Sequence, residues 1–173
     1  YEPEKENVIT VRVNATQSEL WSYEGAGIYR NVWLTQTSSV HIPQWGTFVT
    51  SDVDLTQRQA VIEALIEVAN ESDKAVDVVL KNSITDIEGK QIAYTEKHLS
   101  IHSLDKNEIK THMQVNNAHL WSPETPYLYT LRTEIEMNNT VIDSYVTRFG
   151  IRTITFSSEQ GFLLNGKRVQ LQG

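Results

Sequence analysis

The chain has 173 residues, 39% of them hydrophobic, which is enough for one full core and too apolar for a disordered segment. Fifteen basic residues against 22 acidic ones give a net charge of −7, which counts against a nucleic-acid partner because a phosphate backbone requires a basic face. Zero cysteines exclude disulfides, thiolate metal sites and cysteine nucleophiles, and no apolar run reaches the ~18 residues that a membrane span needs.

The first residues, Tyr1-Glu2-Pro3-Glu4-Lys5-Glu6, are charged, unlike a signal sequence, and begin without Met, which is expected of a chain cut from a larger one. Val8 to Val13 predicts a strand, and Trp21-Ser22-Tyr23-Glu24-Gly25-Ala26-Gly27 an aromatic, glycine-rich loop. Tyr29 to Leu34 predicts a second strand. Two strands cannot bury a core alone. Pro43 and Gly46 then punctuate the chain, so a boundary is expected near Ser38 to Trp45.

Between about Thr47 and Phe156 the sequence is a series of alternating runs separated by turn residues, the pattern of an antiparallel sandwich. The run Ala60 to Ala69 is ambiguous by period alone. Val61/Leu65 and Ile62/Ile66 fit a helix, whereas Ala60, Ile62, Ala64, Ile66 and Val68 fit one face of a strand. Glu63 and Glu67 would repel at i,i+4 on a helix and simply face water on a strand, which favours the strand. Val76 to Lys81 is the next strand, joined to it by Asn70-Glu71-Ser72-Asp73-Lys74. A turn at Glu88-Gly89-Lys90 leads to Ile92 to Ile101.

Ile109, Thr111, Met113 and Val115 face one way, and Lys110, His112 and Gln114 the other, an unambiguous period of two. In His119 to Tyr129, two prolines hold an extended corner, Trp121 can cover the end of the sandwich, and Tyr127 and Tyr129 drop inward. Leu131, Thr133 and Ile135 continue that face, with Arg132, Glu134 and Glu136 solvated opposite. Past the Asn138-Asn139 turn another strand begins near Val141. A second boundary falls near Gly150, after which Arg152 to Phe156 leads to a hairpin turning at Asn165-Gly166, the pair best suited to positive φ at both centre positions. Val169 and Leu171 would point apolar groups toward something beyond the chain.

Candidate chemistry is sparse. Five histidines (41, 98, 102, 112, 119) show no metal-ligand spacing, and the His98/His102 pair without a third ligand reads as surface histidines. Glu63/Glu67 and Glu134/Glu136 read as solvated charge rather than an acid/base couple. There is no GxSxG, HExxH or phosphate-cradling glycine loop. No cofactor is expected. Three N-x-S/T sequons, at Asn14, Asn70 and Asn138, are expected by chance.

Four segments resemble glycoside hydrolase family 2, in the family's order and at about its spacing. They are Gly25-Ala26-Gly27-Ile28-Tyr29-Arg30-Asn31-Val32-Trp33-Leu34; Leu120-Trp121-Ser122-Pro123-Glu124-Thr125-Pro126-Tyr127-Leu128-Tyr129; Arg148-Phe149-Gly150-Ile151-Arg152; and Gly161 to Lys167 through Leu171-Gln172-Gly173. The resemblance implies an all-β chain: an immunoglobulin-like antiparallel β-sandwich (39–149), remnant jelly-roll strands of a sugar-binding domain before it (1–38), and a hairpin lead-in (150–173) to a TIM barrel outside the chain. It implies a retaining glycosidase as parent, β-galactosidase-like first, with β-glucuronidase and β-mannosidase open.

The two catalytic carboxylates of such enzymes, ~5 to 5.5 Å apart, would lie in the barrel. The resemblance therefore assigns no catalytic residue here, and the chain alone is expected to hydrolyse nothing. It suggests Trp21 and Tyr23 as substrate-binding residues, although Trp21-Ser22-Tyr23-Glu24 departs from the family's Arg-Trp-Tyr-Pro type run. Arg30 would be structural, paired with a carboxylate at a domain junction. The implied partners are the chain's own jelly-roll and TIM-barrel domains and the parent's carbohydrate substrate, in a bacterial protein of open compartment, cytoplasmic or periplasmic. Two other readings remain: a free-standing carbohydrate-binding module, which needs an exposed aromatic platform, and a structural immunoglobulin-like interaction domain.

Overall fold

A computed structural model of the chain describes residues 5–14 and 27–170. By its internal contacts the chain divides into two compact units, Tyr1–Gln36 and Thr37–Gly173. The described parts of the first unit form no strand. Val8 to Val13 and Tyr29 to Leu34, both expected as strands, carry no ladder and expose Val8, Ile9, Tyr29, Trp33 and Leu34. An apolar run becomes a strand only when a neighbour takes up its backbone groups, and these segments find none among the described residues.

The second unit is all-β, with no helix among the described residues. Its strands are β1 (Val40–His41), β2 (Thr47–Asp54), β3 (Gln59–Asn70), β4 (Val76–Thr85), β5 (Gln91–Ile101), β6 (Asp105–Val115), β7 (Tyr129–Met137), β8 (Thr140–Phe149), β9 (Ile154–Ser157), β10 (Gly161–Leu164) and β11 (Lys167–Arg168). One sheet centres on β3, with β1 and β2 along one side and β6 along the other. The other runs β5-β4-β7-β8, and β9 to β11 form a small third sheet. Every strand pairing is antiparallel.

The run that sequence left ambiguous is the central strand β3. Ala60, Ile62, Ala64, Ile66 and Val68 all point inward and are at most 1% exposed. Across the ladder Ile62 pairs with Met113 and Ile66 with Ile109. Sheet two answers with Val78, Leu80 and Ile84 from β4 and Tyr129, Leu131 and Ile135 from β7. Each such large aliphatic side chain contributes roughly 1.5–3 kcal/mol by leaving water. On the outer face Glu63 meets Lys110 at 2.9 Å and His112 at 3.0 Å, and Glu67 meets Lys106 at 2.9 Å. Those carboxylates, like charges on a helix, here face cations of β6.

Two polar groups tie the sheets together. Asn82 of β4 is fully buried; it accepts a hydrogen bond from Thr133 Oγ1 (2.7 Å) and donates across the core to Thr111 Oγ1 of β6 (3.3 Å). Asn70, at the end of β3 and 1% exposed, donates to the carbonyls of Lys74 (2.8 Å), Ile101 (3.3 Å) and His102 (3.0 Å). Its Oδ1 accepts from the backbone N–H of Ser72 (3.0 Å), so the sequon at Asn70 is a buried structural turn.

Candidate functional site

Three of the segments singled out in the sequence converge at one end of the sandwich. The first is the corner 119–129, which Pro123 and Pro126 keep out of the α region. Inside it Ser122 N–H donates to Thr125 O (3.0 Å) and Thr125 N–H to Ser122 Oγ (3.2 Å). Tyr129 is 2% exposed, and its hydroxyl accepts from the His119 backbone N–H at 2.9 Å. Burial pushes the Tyr129 hydroxyl above its ordinary pKa, so it remains neutral. Tyr127 stacks on His119, ring centres 4.9 Å apart, and tilts against Tyr129.

The second segment, 150–152, runs alongside that corner. Leu120 and Ile151 form a parallel bridge, and Trp121 N–H donates to Ile151 O at 2.8 Å. Gly150 is required by close approach: a Cβ there would stand 2.8 Å from both Cβ and Cγ of Trp121. The Arg152 guanidinium lies over the Trp121 ring, 5.2 Å from its centre. Trp121 therefore covers the sandwich end as expected, half-buried between backbone and a cation.

The third is the turn of the β10–β11 hairpin. Asn165 (φ 51°) and Gly166 (φ 73°) take the positive φ pair the turn demands. Asn165 does more. Its backbone N–H donates to Thr153 O (3.0 Å), its Oδ1 accepts from Thr153 N–H (3.0 Å), and its Nδ2 donates to Trp121 O (2.9 Å). One residue thus fastens the hairpin to both the strand leaving the sandwich and the corner. The Asn-Gly signal in the sequence reports its φ requirement, and nothing there marks the side-chain bonds. Between corner and hairpin lies an open groove of ≈ 840 Å³.

Among the described residues, this end offers no acid/base couple. Glu124 is held below the usual carboxylate range by its own backbone N–H and the Ser122 hydroxyl, with Lys167 adding attraction. Elsewhere, Glu63 is likewise lowered, chiefly by Lys110, whereas a general acid requires a raised value. Glu136 is paired with Lys81 at 2.6 Å. Among the described residues no group of three His, Asp or Glu side chains gathers as a metal site. Trp21 and Tyr23, the expected substrate-binding residues, lie outside the described residues. Arg30 has its guanidinium over the ring of Tyr29, at 5.4 Å.

Two antiparallel sheets closed over one core, with the chain passing between them after β3, β5 and β6, define an immunoglobulin-like β-sandwich. The chain belongs to glycosyl hydrolases family 2, whose family model matches residues 40–152. It is 40% identical over 169 residues to the beta-galactosidase BoGH2A of Bacteroides ovatus, covering 96% of this chain and 20% of that protein. To a beta-glucuronidase of Formosa agariphila it is 30% identical over 190 residues, covering 98% of this chain and 19% of the other. The crystal structure of a glycosyl hydrolase family 2 member from Bacteroides cellulosilyticus superimposes with a TM-score of 0.73 at 34% identity, over 79% of this chain and 19% of that one. The chain thus spans about a fifth of the length of these relatives. No helix among the described residues is long and apolar enough to cross a membrane.

Proposed function

We propose that this chain is the non-catalytic scaffold segment of a retaining β-glycosidase that hydrolyses terminal β-galactosides. Residues 1–38 would close a jelly-roll sugar-binding domain, 39–149 form the sandwich, and 150–173 lead into a TIM barrel. The two carboxylates of the retaining mechanism, ~5 to 5.5 Å apart, would come from that barrel. This chain would contribute rigidity and angle, and no reacting group.

The observation that carries the reading is the three-bond fastening of Asn165 to Thr153 and Trp121. A hairpin locked in this way can hold whatever follows it at a fixed orientation to the sandwich, and orientation is what a catalytic site built on rigid elements needs. Identity of 40% to a beta-galactosidase, against 30% to a beta-glucuronidase, supports galactose as the glycone.

The test is hydrolysis of a panel of nitrophenyl β-glycosides by the 173-residue chain beside the same chain extended C-terminally through the barrel. The short chain should be inert and the long one should prefer the galactoside. Turnover by the short chain would overturn the scaffold role, and preference for the glucuronide would overturn the sugar.

A further inference from the structure

The groove between corner and hairpin differs in charge from the rest of the molecule. Its walls carry three permanent cations, Arg58, Lys167 and Arg168, against one carboxylate, Glu124, in a chain where 22 acidic residues outnumber 15 basic ones. Two other grooves show the opposite balance. One of ≈ 410 Å³ is lined by Asp77 and Glu136, and one of ≈ 270 Å³ by Asp52 and Asp54, neither with a lysine or arginine. Among the described residues, none of the three cations forms a salt bridge.

The walls are also fixed in place. The Arg58 carbonyl accepts from Ala118 N–H at 2.8 Å, joining the β2–β3 turn to the corner. At the hairpin tip Gly166 sits so near Leu55 that a Cβ would be 3.3 Å from its Cδ1, and Asn165 secures the remaining side. A preformed groove costs little ordering entropy when it is filled. Tyr127, Leu164 and Val169 supply apolar lining between the charged positions. The mixture suits a polypeptide carrying carboxylates and apolar side chains together better than a small inorganic anion, which needs donors converging on one point.

We propose that this groove docks an acidic polypeptide segment of the domain that follows the hairpin in the parent protein, with its carboxylates paired to Arg58, Lys167 and Arg168. The inference rests on the scaffold reading above and adds where the contact lies and what chemistry makes it. β11 is itself one wall of the groove, so such a segment would bind intramolecularly, at the high effective concentration of a short connection. Pairing would also orient the following domain through bonds that the hairpin alone does not make.

The test is zero-length carbodiimide coupling of the full-length parent protein, with peptide mapping of Lys167. The expected result is an amide between Lys167 Nζ and an Asp or Glu beyond residue 173. In the charge-reversed variant R58E/K167E/R168E, hydrogen exchange of that same acidic segment should rise at least tenfold, with the circular dichroism of the sandwich unchanged. Coupling of Lys167 only within residues 1–173, coupling to a second copy, or no coupling at all would overturn the proposal. Hydrolysis of the nitrophenyl β-glycoside panel separates the two ideas: an active full-length enzyme without the cross-link rejects the docking alone, and turnover by the 173-residue chain on its own rejects the scaffold reading.

Discussion

Replacing Asn165 with Ala should loosen the terminal hairpin and leave the sandwich standing. The variant keeps the backbone bond to Thr153 O and loses the side-chain bonds to Trp121 O (2.9 Å) and Thr153 N–H (3.0 Å). Each such bond is worth a net of about 0.5–1.5 kcal/mol, so the pair contributes about 1–3. Holding alanine at the φ of 51° that Asn165 adopts adds roughly 1 kcal/mol. The sum, about 2–4 kcal/mol, is roughly a 30- to 800-fold rise in hairpin opening at tenfold per ~1.4 kcal/mol. Native-state hydrogen exchange of the β9 and β10 amides reads this opening directly, and the β3 and β7 amides serve as the internal control. Asn165→Gly removes the φ strain and should recover about 1 kcal/mol of the loss. A change below threefold in Asn165→Ala, or full recovery in Asn165→Gly, would refute the fastening.

Gly150→Ala should destabilise the chain by about 1–3 kcal/mol through overpacking, because the new methyl meets the root of the Trp121 side chain at 2.8 Å; thermal unfolding at the wild-type midpoint speaks against it. Asn70→Ala strips donors from three carbonyls at a buried position, so the urea midpoint should fall by about 1–3 M for a loss of about 3 kcal/mol. Glu63→Gln tests the outer-face pairing with Lys110 and His112. A carboxyl whose folded pKa is lowered contributes stability that is present above its unfolded value, 4.5, and is lost as pH falls through the folded value. Wild type and variant should therefore differ slightly at neutral pH and converge under acid, the gap shrinking with added salt. A constant gap from pH 7 to pH 3 would show that the lost contact is not ionic.

Much of the sandwich was legible because its strands are buried on one face only. Ile109 to Val115 alternates without exception, and burial follows it residue by residue. The same period, with Glu63 and Glu67 as arbiters, resolved β3. Strand signals failed at Val8 to Val13 and Tyr29 to Leu34, where no strand among the described residues takes up the backbone. The basic groove was invisible for a different reason. Arg58, Glu124 and Lys167 are brought together only by the fold, and a net charge of −7 averages over them. The side-chain bonds of Asn165 and Asn70 were hidden behind simpler readings of the same letters, a turn and a chance sequon.

Three asparagines explain how the sandwich and its terminal hairpin hold a defined geometry. Two sheets held by apolar contact alone can slip, because dispersion and the hydrophobic effect carry little directional preference. A buried amide has direction, and misplacing it leaves donors or acceptors unpaired at about 1–3 kcal/mol each. Asn82 fixes the middle of β4 against β6, and Asn70 fixes the end of β3 against the chain leaving β5. Asn165 then fixes the hairpin against both strand and corner. Each tie removes one freedom that packing leaves open: slip between the sheets, splay at their end, and swing of the hairpin. Double replacements that remove two ties at distant sites should therefore add within ~0.5 kcal/mol, since each acts on a separate motion.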